Sequence, residues 1–287
     1  MHFVQAKSLL TKEQGVNLYR GCTHGCVYCD SRSSCYQFSH PFEDVEVKEN
    51  APELLESILR TKRRKCMIGT GSMSDPYQPC EKTLMLTRRC LDVIDRYGFG
   101  VAVLTKSDLV LRDLDLLQSI HSKAKSVVQM TLTIADEALS GRIEPNVCTT
   151  KRRYEVLKTL QKAGIPTVVW MTPILPFLTD TMENVEVLLE YCIDAGVKGI
   201  ICWNMGMTLR EGNREFYYQA LNQEFPGLSE QYRRTYGNRY EVNSPQNEQL
   251  MTYFHSECEK HGIRHTPEDC FRYLHELPDR YEQISMF

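Results

Sequence analysis

The chain has 287 residues, 42% of them hydrophobic and 25% charged, and its 34 Lys+Arg against 37 Asp+Glu leave a net charge of −3. Those proportions exclude a mostly disordered chain, and the mild acidity excludes a surface built throughout for nucleic acid. The 12 cysteines would suggest a disulfide framework in a small secreted protein, but a chain this long can build a core without one. No apolar leader follows Met1, and the most apolar stretch, 166–178, holds three prolines and is too short to span a bilayer. The expected setting is a reducing cytoplasm without a membrane partner, in which several thiols are free for metal or redox chemistry.

Short β-branched runs alternate along the chain with longer helical patterns. A strand over 15–20 comes first. A helix over 52–62 follows, with Leu54, Leu55, Ile58 and Leu59 on one face, and the basic run from Arg60 to Lys65 at its end reads as solvated. A strand over 66–71, a helix over 83–97 carrying Leu84, Leu91, Val93 and Ile94, and a strand over 100–105 come next. After them lie a helix over 109–123, a strand over 127–133 and a helix over 151–163, which opens on the basic Lys151, Arg152 and Arg153. A strand over 166–171, a helix over 181–195 and a strand over 199–204 complete the series. Gly164 and Gly196 stand where the last two helices need a C-cap.

Six strand-then-helix units in a row imply parallel strands joined by right-handed crossovers. A complete eight-stranded barrel takes about 250 residues, whereas six units end near residue 210 here. The expected fold class is therefore α/β, a partial (βα)6 TIM-type barrel over residues 1–210. Residues 211–287 are expected to form a C-terminal, mostly helical extension with one short strand at its end. It is rich in tyrosine: Tyr217, Tyr218, Tyr232, Tyr236, Tyr240, Tyr253, Tyr273 and Tyr281. Ligands of such sheets sit at the carboxyl ends of the strands, so the residues just after each strand are the candidates for chemistry.

Directly after the first strand stands Gly21-Cys22-Thr-His-Gly-Cys26-Val-Tyr-Cys29-Asp30, a C-x3-C-x2-C. Three thiolates in a tight loop can hold three irons of a cubane cluster and leave the fourth open, whereas an electron carrier needs a fourth protein ligand. Three other readings compete. Cys35 can complete a structural zinc site, though zinc loops usually come as two C-x2-C pairs. Cys26 and Cys29 can form a redox dithiol, though such motifs open a helix with no third cysteine nearby. Unliganded buried thiols leave the glycines and the aromatic of the loop unexplained.

With an aromatic before its last cysteine, this loop resembles the cluster loop of radical S-adenosylmethionine (SAM) enzymes. Further segments resemble the spore photoproduct lyase-like, or DNA repair photolyase-like, branch. They are Asn17 to Cys22, Ser72 to Gln78 with Glu81, Leu104 to Asp108 with Arg112 and Asp113, Arg142 to Pro145, and Pro173 to Pro176. In the tail, Phe225 to Leu228 with Tyr232, Tyr236 and Gly237 also fits, so the likeness runs from about residue 14 to about 240.

The resemblance implies that Cys22, Cys26 and Cys29 hold a 4Fe-4S cluster whose open iron is chelated by S-adenosyl-L-methionine. One-electron reduction, from a flavodoxin- or ferredoxin-type donor, then cleaves the sulfonium to methionine and a 5′-deoxyadenosyl radical, which takes hydrogen from substrate. The substrate it implies is a damaged or modified nucleic-acid base. The two basic clusters and the interleaved Tyr232-Arg-Arg-Thr-Tyr236 support that reading. A peptide or small metabolite is the alternative, and a zinc module that binds a partner through its tail is the non-enzymatic one.

For the cofactor, exposed N–H groups and hydroxyls of Gly71, Ser72 and Ser74 suit a carboxylate, and Asp75 suits an ammonium. Lys106 aligns with a family lysine near the SAM carboxylate or ribose. Tyr28 belongs beside the cluster, and Thr131, with Thr133 as the alternative, is the expected ribose contact. Met171, Thr172 and Pro173 are expected to wall the adenine and Asn204 to read its edge. Arg142 and Glu144 are expected to pair over the cofactor or to cap a loop. In the spore photoproduct lyase family a cysteine after the second strand returns hydrogen to the product radical, and Ser72 stands there instead. The assisting tyrosine after the last cluster cysteine is Asp30 here, while Tyr28 is kept. A serine O–H bond is too strong to replace a thiol, which leaves Cys35, Cys66, Cys80 or Cys202 as candidate donors with Tyr28.

Overall fold

The computed structural model describes residues 1–278, and Tyr281 lies outside them. The chain opens with β1 (His2–Val4), β2 (Gly15–Val16), β3 (Tyr19–Arg20), β4 (Glu46–Lys48), α1 (Ala51–Thr61) and β5 (Met67–Thr70). It continues with α2 (Glu81–Leu84), α3 (Leu86–Arg96), β6 (Gly100–Thr105), α4 (Leu114–Lys123), β7 (Ser126–Thr131), α5 (Glu137–Ile143) and α6 (Thr150–Lys162). Then come β8 (Thr167–Trp170), α7 (Met182–Asp194), β9 (Gly199–Ile201) and β10 (Gly206–Thr208). The tail holds α8 (Asn213–Glu224), α9 (Leu228–Tyr236), β11 (Glu241–Asn243), α10 (Asn247–Lys260) and α11 (Pro267–His275).

Strands β2, β5, β6, β7, β8 and β9 pair in that order, every pair parallel. This is the six-stranded α/β sheet of a partial barrel. Side chains alternate along each strand. Ile68, Val101, Val103, Val128, Val169 and Ile200 pack with the outer helices, while Met67, Ala102, Val127, Val168 and Ile201 face the concave side.

The first predicted strand is in fact two. After Val16 the chain leaves the barrel and pairs again at Tyr19 in a second sheet, β1-β4-β3, with β1 parallel and β3 antiparallel to β4. At the break, the Asn17 side-chain oxygen accepts the Met73 N–H at 3.2 Å, tying this turn to the loop after β5. The helix predicted over 83–97 breaks at Met85, which takes φ 51°. The one predicted over 109–123 begins as a 3-10 turn, Asp108–Asp113.

Both departures place a buried carboxylate. Glu81 accepts from the Tyr19 hydroxyl, from the Thr87 N–H at 3.0 Å and from Arg112 at 2.8 Å. Asp113 accepts from Tyr77 at 3.0 Å, Arg88 at 3.0 Å and Arg112 at 2.7 Å. Glu81, Arg112 and Asp113, motif residues in the sequence, thus brace the helical layer instead of facing a ligand.

A boundary at residue 210 would cut the antiparallel β10–β11 ladder, which joins Gly206–Thr208 to Glu241–Asn243. Helices α8 and α9 bring Tyr217, Tyr232 and Tyr236 into a second core with Cys26, Tyr28, Ile143 and Leu175. The hydroxyls are partnered: Tyr217 with Tyr232 at 3.1 Å, Tyr232 to Pro176 O at 2.7 Å and Tyr236 to Asn243 O at 2.6 Å. Tyr232 and Tyr236, expected to form a stacking surface, are therefore packed in the interior, while Arg233 and Arg234 between them stay exposed. Helix α11 lays Cys270 and Leu274 against Met67, Ala102 and Val168, filling the concave side of the sheet. Among the described residues no helix is long and apolar enough to cross a membrane.

Candidate active site

The cysteine loop is shaped by two glycines and held by two amides. Gly21 has φ +89°, and a Cβ there would lie 2.3 Å from Phe42 O, the carbonyl that also accepts the Cys22 N–H at 3.2 Å. Gly25, at φ +75°, packs against Pro145 and Asn146. The fully buried Gln78 donates to Gly21 O and accepts the Thr23 N–H, each at 3.2 Å. Asn146 donates its side chain to Thr23 O at 2.9 Å and its N–H to His24 O at 3.1 Å. The loop is thus clamped between the segments after β5 and after α5, and its backbone is fixed before any ligand binds.

Cys22, Cys26 and Cys29 line a cleft of about 180 Å³ at the carboxyl ends of β5, β6, β7 and β8. Gly71, Ser72, Ser74, Asp75, Lys106, Thr131 and Tyr28 share its wall, as does Trp170. Gly71 must be glycine: at φ +91° a Cβ would lie 2.2 Å from Leu104 O. Ser72 is exposed and its hydroxyl reaches Asn17 at 3.3 Å, whereas Ser74 is buried on Tyr19 O at 2.7 Å. Asp75 has its carboxylate taken up by the protein. It accepts from Thr105 Oγ1 at 2.7 Å, Lys106 N at 2.7 Å and Tyr77 N at 2.8 Å, and His24 Nδ1 stands 3.4 Å away. Burial depresses the His24 pKa although Asp75 opposes it. Asp75 therefore locks the ends of β5 and β6 while its carboxylate remains in the cleft lining.

Lys106 enters the cleft with its Nζ 5.8 Å from the centre of the Tyr28 ring. Burial works against its charge, yet Cys26, Glu144, Cys29 and Asp75 together hold its pKa above the ordinary lysine value. The Tyr28 hydroxyl donates to Glu144, which pairs with Arg153 at 2.5 Å. Arg153 also donates to Thr131 O at 2.8 Å. Glu144 and Arg153 are both buried. This chain of contacts runs behind the cleft from the cysteine loop to the end of β7.

The pairing expected between Arg142 and Glu144 does not form. Arg142 sits at the surface, bridging to Glu224 at 3.0 Å and lying over Phe225, because α5 turns it toward α8 while Glu144 turns inward. Met171 is buried in the helix-facing core and gives its N–H to Ile201 O. Thr172 and Pro173 wall the cleft without it. Thr133 is buried with an unpartnered hydroxyl and lies outside the cleft lining. Asn204 lines an adjoining cleft of about 510 Å³ with Trp203, Asp30, Glu241 and Asn243. The two clefts share Tyr28, Cys29, Lys106, Trp170, Thr172 and Pro173.

None of the proposed hydrogen donors with a thiol lines the cysteine cleft. Cys35 is exposed with its Sγ 3.5 Å from Arg210. Cys66 precedes β5 and so lies at the amino end of the barrel, beside Gln14. Cys80 leads into α2 against the helical core, and Cys202 is buried against Met251. Trp170, Trp203, Arg153, Gln78 and Asn146 were not among the sequence candidates. For Trp170 and Trp203 the signal is strand alternation, since each stands two places after a concave-facing residue, Val168 or Ile201.

The donor set suits a cluster better than a single ion. One zinc with thiolates at about 2.3 Å draws tetrahedral sulfurs to roughly 3.8 Å from one another. The sulfurs of Cys22, Cys26 and Cys29 do not all lie within 4.8 Å of one another, and Cys35 is not beside them. A polynuclear cluster takes its thiolates on separate irons and so tolerates the wider spacing.

The fold resembles that of spore photoproduct lyase. A mutant of that enzyme matches with a TM-score of 0.64 over 92% of this chain and 80% of the other, at 14% identity. A complex of the enzyme with dinucleoside spore photoproduct matches at 0.63 with the same identity, over 92% of this chain and 80% of that one. In sequence, an uncharacterised protein of Mycobacterium tuberculosis (strain ATCC 25618 / H37Rv) is 30% identical over 250 residues, 82% of this chain and 73% of the relative. One of Methanocaldococcus jannaschii is 38% identical over 167 residues, 58% of this chain and 61% of the relative. The family model described as the radical SAM superfamily matches residues 16–192, and the chain belongs to that superfamily.

Proposed function

We propose that the chain is an enzyme in which Cys22, Cys26 and Cys29 hold a 4Fe-4S cluster, and that its substrate is a nucleic-acid base or a comparably planar group. Superfamily membership implies the cluster, SAM and an external electron donor, the last of flavodoxin or ferredoxin type. When bound, the cluster supplies one electron to the SAM sulfonium, which yields a 5′-deoxyadenosyl radical able to take hydrogen from substrate.

The observation that carries this reading is three thiol ligands, with no fourth, facing a cleft at the strand ends. The chain's own groups fit a zwitterionic adenosine. Lys106, kept charged, offers a partner for a carboxylate, and the Gly71–Ser72 backbone and Thr131 supply polar contacts on the same wall. The adjoining cleft is the substrate space. Trp203 is 46% exposed there, Trp170 stands 5.5 Å from it, and Asn204 and Asn243 offer amides to a base edge. Indole faces and amides together are what base recognition by stacking needs, and a structure of similar fold carries dinucleoside spore photoproduct.

One observation favours a second reading. Asp30 and Glu241 also line this cleft and would welcome a cationic group on a peptide or small metabolite. With Ser72 at the donor position and no further thiol in the cleft lining, Tyr28 is the candidate for returning hydrogen, its phenol set between cleft and Glu144.

Anaerobic reconstitution with iron and sulfide, followed by reduction in the presence of SAM, tests the activity. Loss of both thiolate–iron absorption and 5′-deoxyadenosine formation is expected in Cys22→Ala, Cys26→Ala and Cys29→Ala, with retention in Cys35→Ala. Full 5′-deoxyadenosine yield from any of the first three would end the proposal.

A further inference from the structure

The small N-terminal sheet carries a second set of ligand-type side chains that takes no part in the cleft. Strands β1 and β4 run parallel with His2 opposite Glu46, so the two side chains stand side by side. His40, in the segment leading into β4, sets its ring edge-on to His2, with centroids 4.8 Å apart at 87°. One ligand atom from each of His2, His40 and Glu46 lies within 4.8 Å of the other two, and no other such trio of His, Cys, Asp or Glu occurs among the described residues.

Hydrogen bonding fixes which ring nitrogens are available. His40 Nδ1 lies 3.0 Å from Pro41 O, and a carbonyl only accepts, so Nδ1 carries the hydrogen and Nε2 presents a lone pair. That Nε2 is sealed from solvent with no hydrogen-bond partner, 3.8 Å from the Glu46 carboxylate. Two acceptors facing each other at that distance call for a positive charge between them, either a proton on Nε2 or a bound cation. His2 Nδ1 is held by Asp44 Oδ2 at 3.1 Å, the carboxylate–imidazole contact that orients metal-ligating histidines and leaves the opposite nitrogen to bind.

We propose that His2, His40 and Glu46 form a binding site for a divalent cation, with zinc the ion best matched. Two imidazoles and one carboxylate are a borderline-soft set, and three protein ligands leave a fourth position for water. The site is open on one side, since the His2 side chain is 38% exposed while His40 and Glu46 are 14% and 19%. Its position gives it a consequence for the cleft. His40 lies two residues before Phe42, whose carbonyl accepts the Cys22 N–H and packs against Gly21. An ion here ties the 40–42 strap to β1 and β4 and so stiffens the outer wall of the cysteine loop.

The full-length chain, without a terminal tag and with its iron–sulfur cluster reconstituted, is titrated with Zn²⁺ by calorimetry and assayed for zinc and iron. A single saturable zinc per chain is expected. His40→Ala and Glu46→Gln should each weaken it about tenfold or more with iron content unchanged, and Glu46→Gln preserves side-chain shape should His40→Ala disturb the strap. Co²⁺ added to the full-length Cys22→Ser, Cys26→Ser, Cys29→Ser chain should give ligand-field bands without sulfur charge transfer. Zinc should also slow amide hydrogen exchange over 36–46. Absent saturable binding, affinity untouched by both variants, or a cobalt spectrum with thiolate charge transfer would each overturn the assignment.

Discussion

Taking a carboxylate and a guanidinium out of water costs several kcal/mol apiece, which only close pairing and further hydrogen bonds offset. Glu144 and Arg153 are in that position beneath the cysteine loop, both with side chains fully shielded from solvent and 2.5 Å apart. Removing one charge strands the other, so Glu144→Gln should cost about 3–5 kcal/mol in urea unfolding of the chain. Glu144→Leu combined with Arg153→Met should recover most of that loss, which a purely steric role for Glu144 would not allow. The pH dependence has a definite sign. Burial pushes the Glu144 pKa up, but Arg153, Lys106 and Tyr28 outweigh it and hold it below the ordinary value of 4.5. A carboxylate depressed in the folded state contributes stability that is complete above its unfolded pKa and disappears as pH falls through the folded one. The stability gap between parent and Glu144→Gln should therefore be constant near neutrality and shrink below pH 4.5. A gap that widens on acidification would refute the pairing as its source.

At the scale of elements, α11 sets the floor of the site. It covers the concave strand residues with Cys270 and Leu274, and it borders a cavity of about 490 Å³ that also touches Ser72, Met73 and Trp170. Leu274→Ala should destabilise the chain by about 2–5 kcal/mol, because the rigid strands beneath cannot collapse into the space, with the unfolding midpoint as the readout. An exposed-surface value, within about 0.5 kcal/mol, would mean that α11 does not seat as described. This element also marks how far the sequence could be read. The parallel strands were legible because both their faces are buried, giving apolar runs with glycine stops. The cysteine loop and the Gly71–Asp75 turn were legible because each directly follows a strand and matches a family motif. Helix α11 was legible only as part of a mostly helical tail, since two buried residues in one short helix give little periodic signal. Tyr232 and Tyr236 read as surface because nothing in the local sequence reveals where their hydroxyls find partners. The buried pairing of Arg153 was not legible because its partner, Glu144, belongs to another segment. The break of the first strand at Asn17 depends on Met73, 56 positions later, and no local pattern encodes it.

For the whole molecule, the distribution of charge decides how a nucleic-acid substrate can be held. The net charge is −3, so no long-range field draws in a polyanion. The basic run from Lys62 to Lys65 lies at the amino end of β5, lining a separate cavity with Lys123 and His275, at the opposite end of that strand from Gly71. Arg153, from the other basic cluster, is buried. Beside the proposed substrate cleft stand Glu241 and Asp30, the latter paired with Arg210 at 3.4 Å, and Lys106 is a single cation in its lining. Recognition there must come from stacking on Trp203 and Trp170 and from amide contacts, with one or two phosphates touched at most. Binding of a short oligonucleotide should then depend weakly on salt, with log K falling against log salt at a slope of roughly −1 to −2. Lengthening the oligonucleotide should add little affinity. Trp203→Ala should remove about 1–3 kcal/mol of binding while leaving cluster iron intact, and tryptophan fluorescence quenching by a dinucleotide gives the measurement. A long duplex that binds far more tightly than a dinucleotide, with a steep salt slope and no loss in Trp203→Ala, would place nucleic acid elsewhere on the protein and leave this cleft to a peptide or small metabolite.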